Sequence, residues 1–416
     1  MSNKEKKLTI GQSVAWNTWG NLLYYGTQWA ITVLVARMLG YRAAGIYNLA
    51  MSITNIFAGL AGFGIRNYQI SDINDKYSTQ DYATNRLLTI AISFFLCVVF
   101  VLINDYDTYS AICICAYMVF RLSDATFDLF SAIYQRKWRL DFLGISLTIR
   151  SVLMICVFLV LSTLSSNILI TIIGFAIFMN ISVLTFDFRN ANRLEAVSVS
   201  PKSKGVLLLL LECWPLAVFT CLSSSIASIP RYIMEMFLGE EALGLYASVA
   251  APVLIVQLIA TNIFNPMLTE YAECVNSNRT GDARKIIIRS LCIIALLTIV
   301  AIFVAAIAGR WGLVLLFGSS IAGYEYLLTP LICCASSTAI IWLLSGLLTV
   351  LRRFSYMIVG NGAAALVCLV LSIILINGDD GMLGATYALL VGNIVGVIIL
   401  LYCIYISREV DERKKQ

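Results

Sequence analysis

Long apolar runs separated by short polar segments fill almost the whole chain. Each run is about twenty residues or longer, the length that an α-helix needs to cross the hydrocarbon core of a bilayer. The pattern predicts twelve membrane-spanning helices, called spans 1 to 12 here. The first six cover approximately residues 11–36, 43–65, 83–103, 109–130, 142–161 and 168–186. The second six cover approximately residues 206–229, 242–264, 286–308, 327–348, 356–376 and 383–406.

A nine-residue pattern follows span 1 and returns later in the chain. Leu39–Tyr47 reads Leu-Gly-x-x-Ala-x-Gly-x-Tyr, and Leu238–Tyr246 repeats it 199 residues further on. Six apolar runs separate the copies, and an even number restores the direction of the chain. The chain is therefore predicted to consist of two parallel six-helix repeats. The polar connection 189–205 divides an N-terminal lobe, residues 1–188, from a C-terminal lobe, residues 206–416.

Composition agrees with an all-α polytopic membrane protein. The chain is 60% hydrophobic and 13% charged, with a mean hydropathy of +0.85, whereas soluble domains carry about 25% charged residues. The formal net charge of +5 is spread over short segments, so no nucleic-acid partner is predicted. The chain has no histidine and no Cys-x-x-Cys pattern, so no metal site and no cofactor are predicted.

The distribution of basic residues predicts the orientation. Of the 29 lysines and arginines, 23 are assigned to the tails and connections on the side of the termini, including Arg86 and Arg289 at the starts of spans 3 and 9. By the positive-inside rule, both termini are predicted to be cytoplasmic. The connections on the outer side are too short for a catalytic domain, and there is no nucleotide-binding Gly-x-x-x-x-Gly-Lys-Ser/Thr motif. The sequence therefore predicts a carrier rather than an enzyme.

Two arginines near the middle of their spans are the first candidates for a substrate site. Arg121 lies in span 4 and Arg150 in span 5, and Asp124 and Asp128 follow Arg121 at i+3 and i+7. Charged groups at this depth are costly and are usually functional. One interpretation is an ion-pair network that packs the two spans. The other is a cationic site for an anionic headgroup, with Arg150 the freer group because its own helix offers no acid at i±3 or i±4.

Span 1 carries a stripe of polar residues on one helical face. The stripe consists of Asn17, Asn21, Tyr24 and Gln28, with Tyr25 beside it. Such residues often bond neighbouring helices, at about 0.6 kcal/mol each. Amide groups beside aromatic rings also suit sugar rings or polyprenyl chains, so cavity lining is the second interpretation. In span 7, Glu212 is a candidate proton or cation site, or a side chain that extends to the cytoplasmic interface.

The segment Val35–Gly40, continued by Gly45–Tyr47, resembles the opening signature of bacterial polysaccharide-repeat (Wzx-type) flippases. These belong to the multidrug/oligosaccharidyl-lipid/polysaccharide exporter superfamily. Weaker agreement with that family falls at residues 81–88, 134–144, 237–246, 270–291 and 348–362.

The resemblance implies a V-shaped pair of six-helix lobes around a central cationic cavity, in the bacterial cytoplasmic membrane. Such carriers move undecaprenyl-diphosphate-linked oligosaccharides to the outer leaflet by alternating access, so the implied partners are that lipid-linked substrate, the bilayer and other polysaccharide-assembly proteins. The second half departs from the family in having few mid-membrane arginines. A cation-coupled multidrug exporter of the same superfamily is one alternative, disfavoured by the arginine pair. A membrane glycosyltransferase or polymerase is another, disfavoured by the short outer connections.

Overall fold

The computed structural model describes residues 10–72, 75–200, 205–277, 279–378 and 381–413, and nearly all of them are helical. The helices of the first half are α1 (Ile10–Gly62), α2 (Ile65–Ser71), α3 (Thr79–Ile103), α4 (Thr108–Arg136), α5 (Leu140–Ser165), α6 (Ile168–Ser182) and α7 (Phe188–Leu194). A π-helical turn, Val183–Asp187, joins α6 to α7. The helices of the second half are α8 (Gly205–Asn276), α9 (Thr280–Phe317), α10 (Leu328–Val350), α11 (Phe354–Ile376) and α12 (Gly381–Arg413).

Helices α1 and α8 each contain two spans. They are 53 and 72 residues long, or about 80 Å and 110 Å, against about 30 Å of hydrocarbon core. Each breaks at one glycine, Gly40 (φ 87°, ψ 171°) and Gly239 (φ 82°, ψ 175°). This backbone conformation is essentially open to glycine alone. Among the described residues, ten helical stretches are apolar and long enough to cross a membrane. Dividing the two longest at their glycines confirms about twelve spans and the all-α fold.

The two copies of the repeated nine-residue pattern pack against each other. Each copy places its second glycine on the backbone of the other. A Cβ at Gly45 would lie 1.7 Å from the carbonyl oxygen of Glu240, and one at Gly244 would lie 1.8 Å from that of Tyr41. No side chain fits at either position. Arg42 Nε also donates to Glu240 Oε2 at 2.9 Å. The repetition in the sequence thus corresponds to a reciprocal packing contact.

The chain forms two compact units. The first contains the described residues up to Leu39 together with Ile53–Thr220. The second contains Gly40–Ser52 and the described residues from Cys221 onward. The reciprocal glycine contact explains why the short segment Gly40–Ser52 belongs to the second unit.

The beginning of α8 packs within the first unit. Thr220 Oγ1 donates to the carbonyl oxygen of Gly59 at 3.2 Å, and a Cβ at Gly64 would meet that of Leu216 at 2.6 Å. The units therefore have other boundaries than the lobes 1–188 and 206–416. Those lobes and the connection 189–205 were defined by the internal repeat and stay a prediction. Residues 201–204 of the connection lie outside the described part of the chain.

The cytoplasmic position of the termini also stays a prediction, and cysteine labelling tests it. We expect cysteines placed at Asp107 or Asp379 to react with an impermeant thiol reagent applied to intact cells. Cysteines at Lys202 or Lys414 should react only after lysis. Asp107 caps the start of α4 by accepting from the amides of Tyr109 and Ser110, while the other three positions lie outside the described residues. A parent without the 12 native cysteines sets the background, and reversed labelling would overturn the predicted orientation.

Candidate functional site

Helices α1 and α5 approach closely at a pair of glycines. A Cβ at Gly20 would lie 2.7 Å from the Cα of Gly144, and one at Gly144 would lie 2.2 Å from the carbonyl oxygen of Trp16. Small residues permit such close crossings in membrane proteins. Tyr24 follows Gly20 by one helical turn, is buried and reaches side chains of both α4 and α5.

Asp124 of α4 is the centre of a partly buried charge cluster. Its Oδ2 accepts from Arg121 Nη1 at 2.7 Å, and its Oδ1 accepts from the Tyr24 hydroxyl at 2.8 Å. Arg150 of α5 donates to the same Oδ1 through Nη2. The two candidate arginines, Arg121 and Arg150, therefore share one carboxylate. We call Tyr24, Arg121, Asp124 and Arg150 the arginine cluster.

Arg150 is the most enclosed member of the arginine cluster, with a side chain that is 0% exposed. Its Nη2 also contacts Ser123 Oγ at 3.1 Å. The guanidinium carbon lies 4.9 Å from the ring centre of Phe127 and 5.3 Å from that of Tyr24, within the range of a cation–π interaction. Among the described residues, no hydrogen-bond acceptor is available to its Nε and Nη1. The surrounding groups therefore stabilise the positive charge of Arg150 but leave its Nε and Nη1 without a hydrogen bond among the described residues.

The expectation that Arg150 is freer than Arg121 is wrong. The spacing within α5 did not show that the acid comes from α4, which precedes it in the chain. The Arg121 side chain is 24% exposed and that of Arg150 0%, so Arg121 is the more accessible cation. If Arg121 were removed, Asp124 would keep Arg150 as a partner.

Asp128 is paired outside the arginine cluster. Its Oδ1 lies 3.8 Å from Arg66 Nε of α2, and the same Nε donates to Ser131 Oγ at 2.9 Å. The i+7 spacing placed Asp128 on the face of Arg121, but its cationic partner comes from another helix. Asp128 thus helps to attach α2 to α4.

The polar stripe of α1 divides into two parts. Asn21 Nδ2 donates to both the carbonyl oxygen and the side-chain oxygen of Asn17, each at 2.8 Å, so this pair is satisfied within one helix. Tyr25 is 49% exposed, and Gln28 is half-buried. Only Tyr24 is committed to the arginine cluster. The other four side chains remain accessible to a ligand to different degrees.

Glu212 of α8 is held by two groups of the first unit, the Tyr68 hydroxyl and the Lys76 ammonium. The hydrogen bond to Glu212 raises the pKa of Lys76, which lies between α2 and α3. Nearby, burial opposes ionisation of Asp72, but the backbone amides of Lys76 and Tyr77 hold the pKa of Asp72 below its usual value. The geometry favours the interpretation of Glu212 as a side chain extended toward the segment before α3.

Among the described residues, two charged side chains with almost no exposure, Arg86 and Asp187, were missed as candidates. Arg86 was counted with a connection, but it is 1% exposed, and its Nη1 donates to the carbonyl oxygens of Ala61 and Gly62 at 2.7 and 2.8 Å. It thus caps the end of α1. Asp187 was placed just beyond span 6 and is 0% exposed. Its position between two large apolar residues, Phe186 and Phe188, was the sequence feature that could have indicated its burial.

Comparisons with known proteins agree with one another. The profile of a family described as "Polysaccharide biosynthesis protein" matches residues 10–272. The capsular polysaccharide biosynthesis protein CapF of Staphylococcus aureus is 23% identical over 393 residues, which is 92% of this chain and 96% of that protein.

Solved structures of two transporters share the fold. An inward-facing multidrug resistance MATE family transporter of the MOP superfamily has a TM-score of 0.72 at 12% identity, over 93% of this chain and 95% of that one. The lipid II flippase MurJ has a TM-score of 0.71 at 14% identity, over 95% and 87% of the two chains. The similarity covers more than nine-tenths of this chain in each case.

Proposed function

Because the chain belongs to the polysaccharide biosynthesis protein family, we propose that it moves an undecaprenyl-diphosphate-linked oligosaccharide repeat unit from the inner to the outer leaflet of the bacterial cytoplasmic membrane. It does so by alternating access, as a multi-pass carrier without covalent chemistry. Surface polysaccharide biosynthesis then uses the repeat unit on the outer side.

The arginine cluster is the observation that carries this proposal. Two guanidinium groups surround one carboxylate, Asp124, so the cluster has an excess positive charge at membrane depth. A diphosphate must lose part of its hydration to cross, and a preformed cation offsets part of that cost. Arg121 is the group that contacts the diphosphate, because its side chain is partly exposed. Arg150 is a positioning residue that fixes Asp124 and thereby Arg121.

The accessible part of the α1 stripe gives a test within the proposed site. We expect Asn21→Leu and Gln28→Leu to lower export while the amount of inserted protein stays unchanged. Among the described residues, Asn21 donates only within its own helix, and leucine favours membrane insertion. Export is measured as surface polysaccharide per molecule of carrier in a complemented deletion strain. Protein loss with unchanged export per molecule would show that these side chains only pack helices.

Deletion of the gene tests the proposed function itself. The expected result is accumulation of a lipid-linked oligosaccharide in the inner leaflet and loss of surface polysaccharide, both reversed by the intact chain. Isotope-labelled sugar in the lipid extract measures the first, and a surface-glycan stain measures the second. Surface polysaccharide that stays intact after deletion would contradict the proposal.

A cation-coupled multidrug exporter is the second candidate function. The observation in its favour is the full-length similarity of the fold to a MATE family transporter. This function predicts that deletion increases sensitivity to lipophilic cations such as ethidium and leaves surface polysaccharide unchanged. The excess positive charge of the arginine cluster would repel such substrates, which favours the flippase.

A further inference from the structure

An apolar furrow runs along α9 in the second unit. It lies between α9, the part of α8 after its break and the start of α10, and its volume is about 430 Å³. We call it the α9 furrow. Its α9 wall extends from Leu297 to Leu316, a length of roughly 28 Å at 1.5 Å per residue. Apart from Trp311, the residues that line it are aliphatic or glycine.

Small residues of α9 keep the furrow open. A Cβ at Gly309 would lie 2.6 Å from Leu328 Cδ1 of α10, whereas a Cβ at Gly312 would meet nothing within 4 Å. Three alanines of α9 line the furrow as well, Ala301, Ala305 and Ala308. Val300 and Val304 also line it and are 50% and 56% exposed. The α9 furrow is therefore accessible from the lipid side of the helix.

The α9 furrow has the depth of one lipid leaflet. Span 9 was predicted at residues 286–308, so Leu297 lies at the middle of the span and Trp311 just beyond its end. These two residues are separated along the helix by roughly 21 Å, against about 15 Å for half of the hydrocarbon core. Trp311 is 70% exposed, as is usual for tryptophan at the membrane interface. Under the predicted orientation, the furrow thus faces the outer leaflet.

A cation lies at the interfacial end of the α9 furrow. Arg310 stands between the lining residues Gly309 and Trp311, and its side chain is 75% exposed. Its Nε lies 3.9 Å from Glu325 Oε1, which is longer than a hydrogen bond. Glu325 Oε2 instead accepts from the amide of Gly323 at 2.6 Å. The guanidinium therefore stays accessible to a phosphate group, which it suits in shape and charge.

We propose that the α9 furrow binds one anionic phospholipid, with an acyl chain along α9 and its phosphate group at Arg310. Lipid tails are as apolar as the lining, so the chain gains mainly van der Waals contacts. Arg310 supplies the preference for a negatively charged headgroup. The bound lipid fills the space between α8 and α9 and so stabilises the second unit. This inference goes beyond the proposed function and does not depend on it.

Native mass spectrometry of the full-length chain in detergent tests the site. Phosphatidylglycerol and phosphatidylcholine are titrated separately into the delipidated protein. We expect one phosphatidylglycerol molecule to be retained at the lower lipid concentration. Gly312→Leu and Ala308→Leu should each lose it, because the added side chain occupies the furrow. Arg310→Gln should lower the preference for phosphatidylglycerol over phosphatidylcholine by about fivefold, the effect of one basic residue near a charged headgroup.

Ala306→Leu is the matched control for Ala308→Leu. Ala306 is exposed on the same helix and is not among the residues that line the furrow, so this variant should bind phosphatidylglycerol as the parent does. Size-exclusion chromatography verifies that each variant is folded. Unchanged binding in both furrow variants, or an equal loss in Ala306→Leu, would overturn the proposal. Equal affinity of the parent for the two phospholipids would also contradict it.

A competition experiment separates the phospholipid from a polyprenyl lipid. Undecaprenyl phosphate is added to the protein in an amount equal to that of phosphatidylglycerol. We expect phosphatidylglycerol to stay bound. Its displacement would assign the furrow to a polyprenyl chain and refute the proposal. These measurements do not involve export, so failure here is separable from failure of the proposed flippase function.

Discussion

Asp124→Ala is expected to destabilise the protein more than loss of either arginine of the cluster. The substitution leaves Arg150 and Arg121 without their shared carboxylate, and Arg150 is fully buried. Loss of one partner from a buried ion pair costs about 3–5 kcal/mol. Arg121→Ala should cost less, because Asp124 then keeps both Arg150 and the Tyr24 hydroxyl. The temperature of irreversible unfolding of the detergent-purified protein measures the order of these effects.

A matched control is available in α9. Asp282 and Lys285 form an exposed pair with the same i,i+3 spacing as Arg121 and Asp124, at 3.0 Å. Asp282→Ala should change stability by less than about 1 kcal/mol. The double variant Asp124→Asn/Arg150→Gln should recover part of the loss, because no fully buried guanidinium is then left without its carboxylate and only the partly exposed Arg121 loses its partner. If Asp124→Ala behaved like Asp282→Ala, the arginine cluster would have no structural role.

Gly45→Ala and Gly244→Ala are each expected to reduce sharply the amount of folded protein. A methyl group at either position would overlap a backbone carbonyl of the other copy of the repeated pattern, at 1.7 and 1.8 Å. Backbone atoms cannot move aside as a flexible side chain can. The two copies of the repeated pattern must therefore move apart to make room for the methyl group. Overpacking of this kind typically costs about 1–3 kcal/mol and occasionally more. Fluorescence-detected size-exclusion chromatography of tagged variants measures the folded fraction.

Gly26→Ala provides the control, because a Cβ there would meet nothing within 4 Å. That variant should fold as well as the parent. The double variant Gly45→Ala/Gly244→Ala should cost less than the sum of its parts, because the first methyl group already separates the segments. Additive losses would show that the two glycines do not act through one contact.

The helical fold was predictable from sequence because the backbone N–H and C=O groups of each span must form hydrogen bonds within the span in lipid. Long apolar runs therefore indicated the helices directly, and the double Leu-Gly-x-x-Ala-x-Gly-x-Tyr pattern marked the two breaks, now seen at Gly40 and Gly239. Continuation of helices beyond the bilayer was less predictable. Span 9 was placed at residues 286–308, whereas α9 extends over Thr280–Phe317, since helices need not end where the apolar run ends.

The candidate site was predictable only in part. The depths of Arg121 and Arg150 followed from their spans, but their common acid did not. Spacing within one helix identifies partners three or four residues away, whereas Arg150 takes Asp124 from another helix. Asp187 was missed for a related reason. A charged residue at the end of an apolar run is usually solvated, and only the packing of α4 and α5 around the π-helical turn encloses it.

The distribution of charges between α4 and α5 has a consequence for biogenesis. Helix α4 carries Arg121 and Asp124 as its own ion pair, so it can leave the translocon with that arginine already neutralised. Helix α5 brings Arg150 into the membrane with no acid of its own nearby, at a cost of roughly 2.5–3.5 kcal/mol on insertion scales. Its carboxylate partner, Asp124, is synthesised 26 residues earlier. Asp124 is therefore already in the bilayer when α5 is inserted. Because synthesis starts at the N-terminus, Asp124 enters the membrane before Arg150, which depends on it for charge compensation. We therefore expect α5 to insert efficiently only when an intact α4 has been inserted first.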